Sequence, residues 1–222
     1  MDLYDVMRTT FAVREFTDDP LPDPVLYRIL DNARFAPSGG NRQGAHIITV
    51  RDTALRQRLA ELTVPGARRY LAQASAGESP WNPIEPSAVP AETIAETAVP
   101  DQFTEPLLRA PVVLVITLDL TRVAAMDQHL DRVGVVSGAS VYPLVWNILS
   151  ASRNEGYGGT LTTMAVPEEA AIRDLLCIPE NHAVAAILPL GKPIRQLSKL
   201  RRRPVEEFTT MDRFDGPPFH PQ

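Results

Sequence analysis

The sequence predicts an α+β fold, and three observations carry that prediction. Apolar residues recur at helical spacing in Pro22 to Ala36. Runs of β-branched or continuously apolar residues mark strands at Ile47-Ile48-Thr49-Val50, Val112 to Thr117 and Ala183 to Leu190. The Val112 to Thr117 run is apolar on both faces, which places it at the centre of a sheet covered on each side.

The elements follow in order. Residues 1–16 read as a short helix and an extended segment. In the next helix, Leu26, Ile29, Leu30 and Ala33 fall at i, i+3, i+4, i+7 and form one apolar face. Ala45 to Arg51 is the first strand. A second helix is expected at 53–62, where Leu55, Leu59 and Leu62 share a face. Between Val64 and Leu108 seven prolines interrupt every apolar pattern, so the stretch is expected to be mostly irregular, with short helices near 67–74 and 91–97. Tyr70, Trp81 and Phe103 suit either a substrate-covering lid or a surface excursion without a role. Val133 to Arg153, rich in small and apolar residues, predicts a long helix bent at Pro143 and covered on all sides. Gly156, Gly158 and Gly159 end that helix. Thr160 to Ala165 is expected to be a strand, Pro167 to Leu176 a helix opened by Pro167 and two glutamates, and the tail from Gly191 polar and proline-punctuated.

The chain has 222 residues, a usual length for one domain with one core; the expectation is one domain over 1–222 with an insertion at about 64–108. It is 44% hydrophobic and 22% charged, and no apolar run approaches the roughly eighteen residues of a membrane span. Met1 to Asp5 lacks the features of a secretory signal, and the single cysteine, Cys177, cannot close an internal disulfide, so a reducing, cytoplasmic setting is expected. A net charge of −5 argues against nucleic acid as a partner, and the basic run Lys199 to Arg203 is too short to outweigh it. Asp127, His129 and Asp131 lack a further His or Cys at ligand spacing and read as a solvated loop, not a metal site. No nucleophile-elbow pattern is present, and no protein nucleophile is expected.

Ala36-Pro37-Ser38-Gly39-Gly40-Asn41-Arg42-Gln43 joins a helix to a strand with more polar and glycine content than a reversal needs. Proline, serine and glycine are ordinary turn residues; equally, the glycines admit close backbone approach while Ser38, Asn41 and Gln43 offer donors and acceptors to a planar polar ligand.

Taken with Arg8-Thr9-Thr10-Phe11-Ala12-Val13-Arg14-Glu15-Phe16, the run Gly156 to Thr163 and Leu200-Arg201-Arg202-Arg203-Pro204, this loop closely resembles the signature of the flavin (FMN)-dependent nitroreductase family, over most of the chain outside roughly 64–108. The resemblance implies a central, mostly antiparallel sheet flanked by helices, and an intertwined homodimer with FMN at the subunit interface. It implies hydride transfer from NADPH or NADH to a small electron-poor acceptor, a nitroaromatic, a quinone or an activated alkene, by a ping-pong mechanism. Relatives that consume their flavin or reductively dehalogenate an aromatic share these motifs, and a non-catalytic flavin-binding protein is a further alternative.

The resemblance assigns Arg14 to flavin N1 and the C2 oxygen and Arg202 to the phosphate. Ser38, Asn41 and Gln43 form the loop contacts, and Thr162, Thr163 and Met164 pass flavin N5. Thr10, Phe11 and Ala12 occupy the remaining amino-terminal contact positions, with departures. A cation common in the family is replaced by Thr10 and Phe11, which leaves Arg8 or Arg34 as substitutes; Ala12 stands for a serine; and Gly44-Ala45 replaces a Pro-Trp pair.

Overall fold

The computed structural model describes residues 1–220. Helix α1, Leu3–Thr9, starts at Asp2, whose side chain accepts from the Tyr4 amide. Helix α2, Asp23–Ala33, buries Leu26, Ile29 and Ala33, the stripe expected from their spacing. After the loop around Gly39–Asn41 come strand β1, Ala45–Val50, and helix α3, Thr53–Ser75, capped by Asp52. Two short helices follow, α4 at Ala91–Glu96 and α5 at Glu105–Arg109, then strand β2 at Val112–Asp119. Helix α6 is Tyr142–Asn154, strand β3 Gly158–Gly159, helix α7 Glu169–Leu176 and strand β4 His182–Gly191.

The sheet order is β1-β2-β4-β3, and every strand pair is antiparallel. A parallel bridge from Ala12 to Gly159 adds the amino-terminal segment to the β3 edge. Strand β2 is central and buried along nearly its whole length, as its unbroken apolar run requires. One face of the sheet, through Leu114, Ile116 and Leu188, packs on Ile29 of α2 and Val145 and Ile148 of α6. The other, through Val113, Val115 and Ile187, packs on Leu59 of α3, Leu107 of α5 and Ile172 of α7. No helix among the described residues is long and apolar enough to cross a membrane.

Three expected elements differ from those found. Helix α3 does not stop near residue 62; it runs through Pro65 to Ser75 and absorbs the short helix expected at 67–74. Pro65 and Glu61 are both exposed, so the carbonyl left without a donor by proline meets water. Gly66, buried beside it, lets the helix touch the Met164 carbonyl: a Cβ there would stand 2.0 Å from that oxygen. Second, the stretch from Val133 is not one bent helix. Val136–Ser140 is a 3₁₀ turn, and α6 begins at Tyr142 with Pro143 in its first turn, where proline's missing N–H costs nothing. Third, Thr160 to Ala165 forms no strand. Thr162 alone pairs, exchanging both backbone hydrogen bonds with Ile187 at 2.9 Å, before the chain turns into the 3₁₀ segment Val166–Glu168. Cys177 closes α7 in the left-handed region at φ 53°, the place a capping glycine would take.

Candidate functional site

The extended segment after α1 builds one wall of a cleft. Val13 donates its amide to the Gly159 carbonyl at 2.9 Å and is buried, so the alternation of an extended chain sends Ala12 and Arg14 outward. Helix α6 supplies the facing wall through Val145, Leu149, Tyr142 and Trp146; the last two are 44% and 45% exposed. Gly159 forms part of the floor, where a Cβ would stand 2.4 Å from both the Leu190 side chain and the Pro189 carbonyl. The cleft encloses about 500 Å³ and also touches Thr10, Phe11 and Arg202.

Two further cavities flank it. Beyond Trp146, Thr10 and Arg202 opens a chamber of about 530 Å³ that adds Met7, Arg8 and Lys199. Beyond Arg14 and Leu161 lies a smaller cavity of about 150 Å³, walled by Thr162, Thr163 and Met164 and by Gln102 and Phe103 from the proline-rich segment. Phe103 in turn lies 6.3 Å, centroid to centroid, from Tyr70, and Arg69 stacks over Trp81 at 4.3 Å, so aromatic side chains of that segment are tied to α3. Arg8, Arg14, Lys199 and Arg202 form no ion pair among the described residues. The cleft thus carries Arg14 where it meets the smaller cavity and Arg202 where it meets the chamber, with Val145, Leu149 and Leu161 among its apolar lining.

The structure brings Thr10, Phe11, Ala12, Arg14 and Arg202 into one cleft and places Thr162, Thr163 and Met164 beside it. Thr10 contributes shape more than a donor, since its hydroxyl donates to the Val6 carbonyl at 2.8 Å. Phe11 is half-buried against the core that holds Leu59 and Ile172. The Thr162 amide is consumed by Ile187, whereas the Thr163 amide has no backbone partner among the described residues.

Ser38 and Gln43 do not join this cleft. They line a separate cavity of about 220 Å³ with Leu30, Arg34 and Leu144, on another face of α6, and Asn41 stands exposed nearby. The loop is held by the Gln43 amide donating to Ser38 Oγ at 3.0 Å and by the Gly39 amide donating to Ser140 Oγ at 3.3 Å. Asn41 and Gln43 have φ of 53° and 50°, a conformation that costs a non-glycine residue on the order of 1 kcal/mol and concentrates at ligand sites. Arg34 is engaged with Asp31 at 2.7 Å and stacks over Phe35.

Sequence reasoning gave no site role to Trp146, Tyr142, Gln102 or Lys199. Only the helical spacing of Tyr142 and Trp146, four residues apart, could have flagged a second, aromatic face. Asp127 corrects the expectation of a solvated loop: it is 4% exposed and accepts from the Val135 amide at 2.7 Å, the Val136 amide at 3.2 Å and Arg132 at 2.9 Å. The Val135 amide leads in holding its carboxyl down from 3.8 to about 2, with Arg132 and Val136 adding to the effect against the cost of burial. Among the described residues no group of three or more His, Cys, Asp or Glu is placed to hold a metal ion.

Comparison with known proteins bears on this arrangement. The chain is 27% identical over 201 residues to a protein named NADH dehydrogenase from Thermus thermophilus, covering 88% of each. Among solved structures it is similar to an iodotyrosine deiodinase bound to FMN and 3-iodo-L-tyrosine, with a TM-score of 0.69 at 21% identity, covering 96% of this chain and 100% of that one. It is also similar to the NADPH:FMN oxidoreductase of Vibrio harveyi in complex with NAD+, with a TM-score of 0.67 at 19% identity over 96% and 77% of the two chains. The sequence model of the Nitroreductase family matches residues 7–192, from α1 to the end of β4, and the chain belongs to that family.

Proposed function

We propose that this protein is an FMN-dependent oxidoreductase that takes hydride from NADH or NADPH and passes it to a small electron-poor acceptor, a nitroaromatic, a quinone or an activated alkene, in a ping-pong cycle. The observation that carries the reading is the cleft with cations at both ends. An anionic phosphate needs one of them, and a ring that gains negative charge on reduction needs the other. The glycine floor and apolar walls between Arg14 and Arg202 suit a flat ring and its linker. FMN, when bound, supplies the two-electron centre, and the second proton comes from solvent.

The side chains then divide the work. Arg202 offers a planar guanidinium to the phosphate, a geometry that binds such oxygens two at a time. Arg14 sets positive charge beside the ring edge that becomes anionic, which favours the reduced state. With the Thr162 amide engaged, the Thr163 amide is the backbone donor left for the ring edge. Gln102 and Phe103 wall the cavity beyond Arg14, which supports reading the proline-rich segment at 64–108 as a lid that keeps water from the reacting face.

The site is completed by a second copy of the chain. The Ser38 to Gln43 loop lies apart from the cleft within one chain, while α6, between them, exposes Tyr142 and Trp146. A homodimer that packs α6 against its counterpart covers those aromatics and brings the loop of one protomer to the cleft of the other.

Anaerobic mixing tests this reading. NADH or NADPH should bleach the visible absorption of the FMN-loaded protein, and a nitroaromatic should restore it. The likeness to iodotyrosine deiodinase favours reductive dehalogenation of an aromatic as the second reading, which predicts restoration by a halogenated phenol and not by the nitroaromatic.

A further inference from the structure

Building on the FMN assignment, we infer that Arg8 and Lys199 grip the cofactor phosphate together with Arg202, making a three-cation chamber that replaces the cation missing at Thr10 and Phe11. All three line the chamber of about 530 Å³ next to the cleft, and no carboxylate lines it. None of the three is in an ion pair, and Arg8 makes only a loose contact over the Tyr4 ring at 5.9 Å. The alternative substitute, Arg34, is paired with Asp31 and lines the other cavity with Ser38.

Two features hold the chamber in shape. Thr9, between Arg8 and Thr10, is tied to α6 by Arg153 Nε, which donates to its hydroxyl at 3.0 Å, and to the tail by Gln196 Nε2, which donates to its carbonyl at 3.0 Å. These ties bring the end of α1 and the basic tail to one place. They also answer an electrostatic objection, because Arg8 sits at the carbonyl end of a helix, which repels anions. There the Asp5 carbonyl accepts from Thr9 Oγ1 at 2.6 Å, the Val6 carbonyl from Thr10 Oγ1 at 2.8 Å and the Thr9 carbonyl from Gln196. Covering those three oxygens weakens the negative end of the helix, and the arginine beside them lines the chamber.

The test compares FMN with riboflavin, which has the same ring and linker but no phosphate, by titrating flavin-free full-length protein at low and high salt. Wild type should bind FMN more tightly than riboflavin. Arg8→Met and Lys199→Met should each weaken FMN binding roughly tenfold at low salt, less at high salt, and leave riboflavin binding unchanged. Inorganic phosphate should weaken FMN binding and leave riboflavin binding unchanged, and Arg58→Ala, at an exposed arginine of α3 remote from these cavities, should bind FMN as wild type does. Equal loss of FMN and riboflavin in the two variants would assign Arg8 and Lys199 to packing and overturn the inference. Wild-type FMN affinity in both variants would overturn it too, with the cofactor assignment left standing. If wild type binds neither flavin, the cofactor assignment itself fails, and this inference with it.

Discussion

Arg14 and Arg202 line the same cleft, and under the proposed function their charges act on different properties. Arg202→Ala should chiefly weaken FMN binding, by about 1.5–3 kcal/mol or roughly ten- to a hundredfold, through loss of a charge-assisted contact. Arg14→Ala should chiefly slow flavin reduction, because its proposed role is to favour the reduced ring. Stopped-flow reduction combined with FMN titration checks that division. Phe11 was legible only as a departure from the family pattern; its packing against the core was not, because that depends on the fold bringing Leu59 of α3 and Ile172 of α7 together in that cluster. Phe11→Arg should therefore lower Tm without tightening FMN, which a melt and a titration of the variant measure. Asp127 is the remaining residue with a distinct signature. Its carboxyl is depressed in the folded chain, so the stability it contributes is complete above the ordinary 3.8 and is lost as pH falls through about 2. Asp127→Asn should lower stability at neutral pH and flatten the dependence over that acid window in a pH series of melts.

At the scale of elements, α2, β1, β2, α7 and β4 were readable because each has a strong period or an unbroken apolar run between clear breakers. Two of the three failures share a cause: a residue with a strong local habit sat where tertiary context overrode it. Pro65 reads as a helix breaker, yet α3 passes through it because Leu59, Ala60, Ala67 and Ala72 are buried on either side. The Leu161-Thr162-Thr163 run has β propensity, but only Thr162 finds a strand partner. Gly66 joins these two misreadings, since its missing side chain lets α3 seat the Met164 turn. Gly66→Ala should push that turn away, cost about 1–3 kcal/mol by overpacking and weaken flavin binding along with stability. Thermal melts with and without FMN measure both effects.

For the whole molecule, the candidate site was legible in sequence as scattered motifs, and their division between two places was not. Arg14 and Arg202 meet in the cleft, while Ser38 and Gln43 lie at another cavity, and no spacing along the chain distinguishes these outcomes. A shared site across two copies accounts for both halves and for the exposed aromatics of α6. Sedimentation velocity of the protein at micromolar concentration with equimolar FMN, followed at a visible wavelength that only flavin absorbs, tests this most directly. A site shared between two copies predicts a single flavin-bearing boundary at the mass of a dimer, with one FMN per chain. Flavin that sediments free of protein, or travels with a monomer, would contradict it.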